Sequence, residues 1–152
     1  MGLFDALEVS ASALTAERLR MDVTAENLAN AQSTRGADGG PYRRKEVVLT
    51  QASSGQDFGA SLQAAMAGGA ARDTSAPGGV EVAAITEDAR APRMVYDPGH
   101  PDADARGYVA MPNVDSVTEM VDLISSSRAY EANVTAMQAS KQIFSKTLDL
   151  LR

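Results

Sequence analysis

The chain has 152 residues, enough for one modest domain or a small domain carrying extended arms. Its hydrophobic fraction is 44%, but only three Phe, four Tyr and no Trp are present, so side chains able to fill a large core are scarce. A formal net charge of −6 argues against a nucleic-acid partner, and the absence of cysteine excludes disulfides, thiolate metal sites and cysteine nucleophiles.

The first residues lack the basic start and long apolar run of a secretion signal, and no segment approaches the roughly 20 apolar residues needed to span a membrane. Export without a cleaved leader is therefore the expected route for any copy that leaves the cytoplasm.

Residues 1–34 form the first zone and are expected to be an assembly helix. No Gly or Pro falls between Leu3 and Ala31, and Leu7, Leu14, Met21 and Leu28 recur every seven positions. Phe4, Ala11 and Ala25 occupy the complementary heptad position, which Arg18 interrupts. Asn30, Ser33 and Gly36 supply stop signals.

The middle zone, residues 35–112, holds 11 of the 12 glycines and all six prolines, and reads as β-strand and loop. Candidate strands are Tyr42–Thr50, Val80–Thr86, Arg93–Tyr96 and Tyr108–Met111, with a short helical turn at Ser61–Met66. Residues 68–79 are rich in Ala, Gly and Ser and read as a flexible loop. Arg43-Arg44-Lys45, the one basic run, reads as a solvated strand start.

Residues 113–152 form the second helical zone. Leu123, Tyr130, Met137, Phe144 and Leu151 make an unbroken heptad row, with Met120, Val134 and Leu148 in the partner row. Pro112 precedes the helix, Asn113 or Asp115 can cap it, and Glu119 falls near the first turn.

The expected fold is mainly α with a small β/loop middle, its two long terminal helices forming a coiled-coil-like pair. A hairpin of two helices buries one stripe on each and normally covers the opposite faces with Lys and Glu. Here Leu123–Ser140 carries only Arg128 and Glu131 as charges, and Met1–Ala16 only Asp5 and Glu8. The small residues between them suit close helix packing, so these arms need more partners than the chain contains. Both arms are expected to be marginal alone and to order upon assembly.

Candidate chemistry is thin. Asp102-Ala103-Asp104-Ala105-Arg106-Gly107 begins like a calcium loop but has Arg at the fifth position and Asn113 at the twelfth, where a bidentate Glu belongs. His100 is the single histidine, lies in a Pro-Gly turn and reads as a surface residue. No cofactor or metal is called for, and catalysis has no support.

Two blocks carry a family resemblance. Asn27-Leu28-Ala29-Asn30-Ala31 resembles the N-terminal signature of flagellar rod, hook and hook-associated proteins, and Gly40-Pro41-Tyr42-Arg43-Arg44-Lys45 looks like the FlgC rod family in particular. The run from Tyr96-Asp97-Pro98-Gly99-His100-Pro101 through Gly107-Tyr108-Val109-Ala110-Met111-Pro112 to Arg128-Ala129-Tyr130-Glu131-Ala132-Asn133 is similar to the same family. Residues 52–79 match no motif.

The resemblance implies a structural subunit that passes through the flagellar type III export apparatus and assembles in the periplasm into a helical tube. It implies neighbours of its own kind and of FliE, FlgB and FlgF, and transmission of motor torque. On this reading the stripe residues form the assembly interface, and Asn27 and Asn30 fix the helix end and turn through side-chain to backbone hydrogen bonds. The alternative is a peripheral membrane or scaffold protein using amphipathic helices, against which Asp5, Glu8, Glu17, Asp22 and Glu26 flank the first stripe.

Overall fold

The computed structural model describes residues 3–36, 39–52 and 78–150. The sequence-based helical turn at residues 61–66 and most of the loop at 68–79 lie outside them, as does Leu151. Two long helices frame the chain: α1, Leu3–Ala29, and α2, Ser116–Leu150. Between them come β1 (Lys45–Gln51), β2 (Val80–Glu87), β3 (Arg93–Tyr96) and β4 (Tyr108–Met111). The mainly α reading holds, with the strand ranges close to those expected from alternation alone.

The start of α2 and the end of α1 each have a local cause. Asp115 caps α2: its carboxylate accepts from the Val117 amide at 3.0 Å and from the Thr118 hydroxyl at 3.0 Å. Those bonds, led by the Val117 amide, hold the Asp115 carboxyl below its ordinary pKa. Asn113, the other cap candidate, instead donates to Asp88 at 3.3 Å. At the end of α1, the Asn30 amide group donates to the Glu26 carbonyl at 3.0 Å and its carbonyl accepts from Ser33 at 3.0 Å, closing the last turn.

The helices pack antiparallel, because Asn27 near the end of α1 bonds to Glu119 in the first turn of α2. At 1.5 Å per residue α1 spans about 40 Å and α2 about 52 Å, so α2 outruns its partner. The consequence is visible in burial: every position from Lys141 to Asp149 is exposed.

Along another side of α1 lies the antiparallel pair β1–β2. One end is fixed where Asn27 meets Lys45, and the other where the Ser12 hydroxyl accepts from the Val80 amide at 3.0 Å. Fifteen helical residues cover about 22 Å and the seven of β1 about 23 Å, so helix and strand are matched in length. Within the pair the register jumps between Val48 and Leu49, leaving Ala83 as a bulge in β2.

The face of α1 that is buried is not its leucine row. Ala16, Val23 and Asn27 are buried, and with Ser12 they fall within roughly 60° around the helix axis. Leu14 and Met21 lie roughly 200° round from Ala16 and Val23 and stay half-buried. The strands approach too closely for large residues on that face. At Gly79 an added Cβ would sit 2.0 Å from the Ser12 oxygen and 2.9 Å from its Cβ.

The second pair, β3–β4, turns Val95 and Val109 inward, with Val109 fully buried beside the equally buried Pro112. Outward, Tyr96 and Tyr108 meet edge-to-face at 5.3 Å. Gly107, at φ +81°, closes the connecting loop under the Tyr96 ring.

Replacing Gly79 with Ala should therefore unseat β2 from α1. A loss of about 1–3 kcal/mol in thermal or urea unfolding of the full chain is expected, and an unchanged midpoint would contradict the packing described.

Candidate functional site: a polar knot where the chain's motifs meet

Four stretches that are distant in sequence converge at the closed end of the helix pair. Asn27 is 1% exposed and uses its whole hydrogen-bonding capacity. Its nitrogen donates to the Lys45 carbonyl at 2.8 Å and to Glu119 Oε2 at 3.1 Å. Its oxygen accepts from the Tyr42 hydroxyl at 2.9 Å and the Lys45 amide at 2.9 Å. This chemistry fixes the orientation of the amide, since turning it over would set donors against donors and acceptors against acceptors.

Glu119, also 1% exposed, would be costly to bury as an ion without a cation. Arg44 supplies one, its Nε donating to Oε1 at 2.6 Å. The same guanidinium reaches Glu46 at 3.5 Å and Asp122 at 3.7 Å. Burial works against the Arg44 charge, but the hydrogen bond and charge of Glu119 outweigh it and raise the arginine's pKa. Tyr42 is likewise raised, first by burial and then by the charge of Glu26.

Around this centre sit outer ties. Lys45 pairs with Glu26 at 2.6 Å and lies 5.8 Å from the Tyr42 ring centre. Asp88 holds Arg90 in an ion pair at 2.7 Å, and its backbone amide donates to the Arg44 carbonyl at 2.8 Å. Asp102 accepts from Thr34 at 2.8 Å and from Arg35 Nε at 2.6 Å, binding the β3–β4 loop to the segment after α1.

The basic run is thus not a solvated strand start. Arg43 is exposed, but Arg44 is an internal counter-ion and Lys45 a surface tie. His100 is half-buried rather than on the surface, its Nδ1 accepting from the Asp102 amide at 3.1 Å. Asp104 is spent on the amides of Arg106 and Tyr108, so the loop that began like a calcium site is organised by its own backbone.

No group of acidic residues, His or Cys suited to a metal occurs among the described residues. An open groove of about 790 Å³ beside the knot is lined by Glu26, Asn30, Tyr42, Arg43, Asp88 and Arg90 among others. Two of its carboxylates, Glu26 and Asp88, are paired with Lys45 and Arg90, and the lining offers no nucleophile with an adjacent base.

The sequence-based stripe residues are placed unevenly. Leu7, Leu14, Met21, Leu28, Leu123, Tyr130, Val134 and Met137 are half-buried, while Met120, Phe144 and Leu148 are exposed. Asn30 acts at its helix end as expected, whereas Asn27 reaches 18 residues along the chain to Lys45. Tyr42, Arg44 and Glu119 were absent from the expected site. An Asn in the last turn of α1, a Glu in the first turn of α2 and the basic run between them are the signals that could find them.

The two helical motifs of the knot coincide with known family regions. Residues 7–37 match the family model "Flagella basal body rod protein", and residues 105–150 match "Flagellar basal body rod FlgEFG protein C-terminal". The flagellar basal-body rod protein FlgC of Bacillus subtilis (strain 168) is 51% identical over 154 residues, covering 99% of each chain. FlgC of Escherichia coli O6:H1 is 45% identical across 99% of this chain and 98% of its own, and that of Aquifex aeolicus 37% across 98% and 97%.

The chain belongs to the FlgC family of flagellar basal-body rod proteins. It is a structural rod subunit of the basal body and not an enzyme, and the membrane-surface alternative is not favoured. No described helix is long and apolar enough to cross a membrane. Asn27 falls in the first matched region and Glu119 in the second, so their hydrogen bond joins the two regions that match the rod-protein family models.

Two measurements check the knot. Arg44→Met leaves Glu119 buried without its cation and should cost about 3 kcal/mol in denaturant unfolding. Asn27→Asp, which sets a second carboxylate against Glu119, should cost at least as much. Stabilities within 0.5 kcal/mol or so of the parent would refute the arrangement.

Arg90, hydrogen-bonded to Asp88 through side chain and backbone, holds that carboxyl at about 2. A lowered folded-state pKa stabilises above the ordinary carboxylate value and is lost as pH falls through the folded one. An NMR titration should find Asp88 protonating near pH 2. Between pH about 4 and 2 the parent should lose a stability increment that Asp88→Asn lacks.

Proposed function

We propose that this subunit polymerises through its terminal helices into the tubular wall of the proximal rod, lining the export channel and carrying motor torque outward. Its neighbours are copies of itself and the axial proteins FlgB, FlgF and FliE. It reaches the periplasm through the flagellar type III export apparatus.

One observation carries the reading: apolar side chains of α2 face solvent in the single subunit. Val117, Met120, Val121 and Ile124 recur at three- and four-residue spacing over the first turns, with Val117 at 65% and Val121 at 60% exposure. Where α2 outruns α1, Ile143 and Leu148 are more than half exposed. Between these patches the outer side carries Ala132, Ala136 and Ala139, over which another helix can pass closely.

On this reading the half-buried stripe residues Leu7, Leu14, Met21, Leu28, Leu123, Tyr130, Val134 and Met137 and the exposed Met120, Phe144 and Leu148 belong to the assembly interface, and Leu151 joins them by its heptad position in the sequence. Asn27 and Asn30 act indirectly, by holding the helix end from which that surface starts. Burial of each exposed Val or Ile in an interface contributes on the order of 1 kcal/mol, repeated at every subunit contact. The same scarcity of internal burial leaves both arms marginal in the free chain, ordering as the polymer grows.

Tyr130 and Met137 are half-buried and fall on the same side of α2 as buried Glu119 and Ser126, so charges there would disturb the subunit itself. Val121→Asp with Ile124→Asp is the cleaner test. The purified double variant should keep its helicity and thermal midpoint, while cells carrying it should build no rods and fail to swim. Normal rods in those cells would sink the assembly reading. Because the chain has no cysteine, single cysteines at Val121 and Leu148 provide an independent cross-linking check in isolated basal bodies.

A further inference from the structure

The contact between α1 and α2 is thinly specified away from the knot. From Ala6 to Ala29 and from Ser116 to Ile143, the Asn27–Glu119 bond is the one side-chain hydrogen bond joining the two helices among the described residues. Other polar groups bond back to their own helix. Buried Thr24 donates to the Arg20 carbonyl at 2.8 Å and buried Ser126 to the Asp122 carbonyl at 2.9 Å. Half-buried Asn133 does the same to Ala129 at 3.0 Å, and Ser10 to Ala6 at 2.9 Å. Such bonds satisfy the side chain while contributing nothing across the interface.

Glu17 on α1 is less well satisfied still. Its side chain is 14% exposed, and its Oε2 is buried with no hydrogen-bond partner among the described residues. Its Oε1 has only Arg20 of the same helix, at 3.5 Å. Counting ten residues back from Asn27 and ten on from Glu119 sets Glu17 level with Ala129, in the middle of the pair and about 15 Å from the knot. A carboxylate oxygen withdrawn from water without a donor destabilises the state that buries it. Among the described residues, the buried helical side chains lie at this level or between it and the closed end: Ala16, Val23, Thr24 and Asn27 on α1, Glu119 and Ser126 on α2.

We propose that Glu17 weakens the α1–α2 pair of the free subunit, so that the helices stay separable beyond the knot until neighbouring copies take over their packing. The inference rests on the assembly reading for its purpose but not for its physical effect. Glu17 is neither a ligand site nor an interface anchor here. It is a built-in destabiliser that keeps the far halves of both helices exchangeable while Asn27, Arg44 and Glu119 hold the near halves in register.

The test replaces Glu17 with Met, which is apolar and flexible, and with Gln, which keeps the shape without the charge. In the full-length chain Glu17→Met should raise the Tm by about 3–10 °C and slow amide exchange of residues 10–20 at least tenfold. Glu17→Gln should give a smaller rise. In cells the Met variant should assemble fewer rods and swim measurably less far than the parent. A Tm that is unchanged or lowered, or a variant too unstable to purify, would show that the carboxylate is satisfied and overturn the proposal. A stabilised variant with normal rod number and swimming would overturn it equally. Normal rods from the Val121→Asp, Ile124→Asp chain would instead remove the assembly reading and leave the Glu17 stability result standing.

Discussion

A carboxylate can stay ionised in a protein interior only if a cation and hydrogen-bond donors are brought to it, and everything at the closed end of this subunit is arranged around that requirement of Glu119. Arg44 brings the charge and Asn27 the second donor. To do so, the segment after α1 must fold back so that Tyr42, Arg44 and Lys45 lie across both helices. The start of β1 is thereby pinned beside Asn27, and the strand is committed to run along α1 toward Ser12. One ionic contact accordingly sets the antiparallel pairing, the register of the helices and the direction of the first sheet.

Buried ion pairs are poor sources of net stability, because desolvation cancels much of the attraction. Their use is to make one alignment much better than its neighbours. That matters here because the facing surfaces are otherwise permissive. Rows of Ala and Ser offer little to distinguish one helix register from the next, and the hydroxyls are occupied within their own helices. A slide of α2 by one turn would cost little along most of the α1–α2 contact, yet it would strand Glu119 without Arg44 and break its hydrogen bond with Asn27. An apolar knot of equal volume could bind more tightly and specify less.

Much of this fold is readable from residue order, and the failures are as physical as the successes. The β3 and β4 ranges coincide with the short candidate strands Arg93–Tyr96 and Tyr108–Met111, and both helices follow from apolar recurrence bounded by Pro112, Asp115 and the Asn30 turn. Periodicity misled on the buried face of α1. Leu7, Leu14, Met21 and Leu28 are the larger side chains, so an argument from hydrophobicity puts them inside. The strands approach α1 so closely, with Gly79 against Ser12, that only Ser, Ala, Val and Asn fit there. Steric allowance, rather than transfer free energy, chose the face. The knot was half legible: its residues lay in the motifs that resembled the family, but no one-dimensional pattern states that Asn27 and Glu119, 92 positions apart, share a hydrogen bond.

The distribution of order along the subunit also bears on what a rod component needs. A protein that must mate with several kinds of neighbour benefits from one end whose geometry is invariant and another whose packing is negotiable. The closed end meets the first condition, with its charges paired internally and its polar groups saturated. Toward the other end the helices lose fully buried side chains, then lose each other as α2 runs on past α1. A polymer contact made there need not break a well-packed core to form, because the described residues place no buried helical side chain toward that end. It need only cover Val, Ile and Leu side chains that water already surrounds. The free energy of assembly is then released at the subunit boundary, while the internal alignment that every boundary inherits is held at the knot.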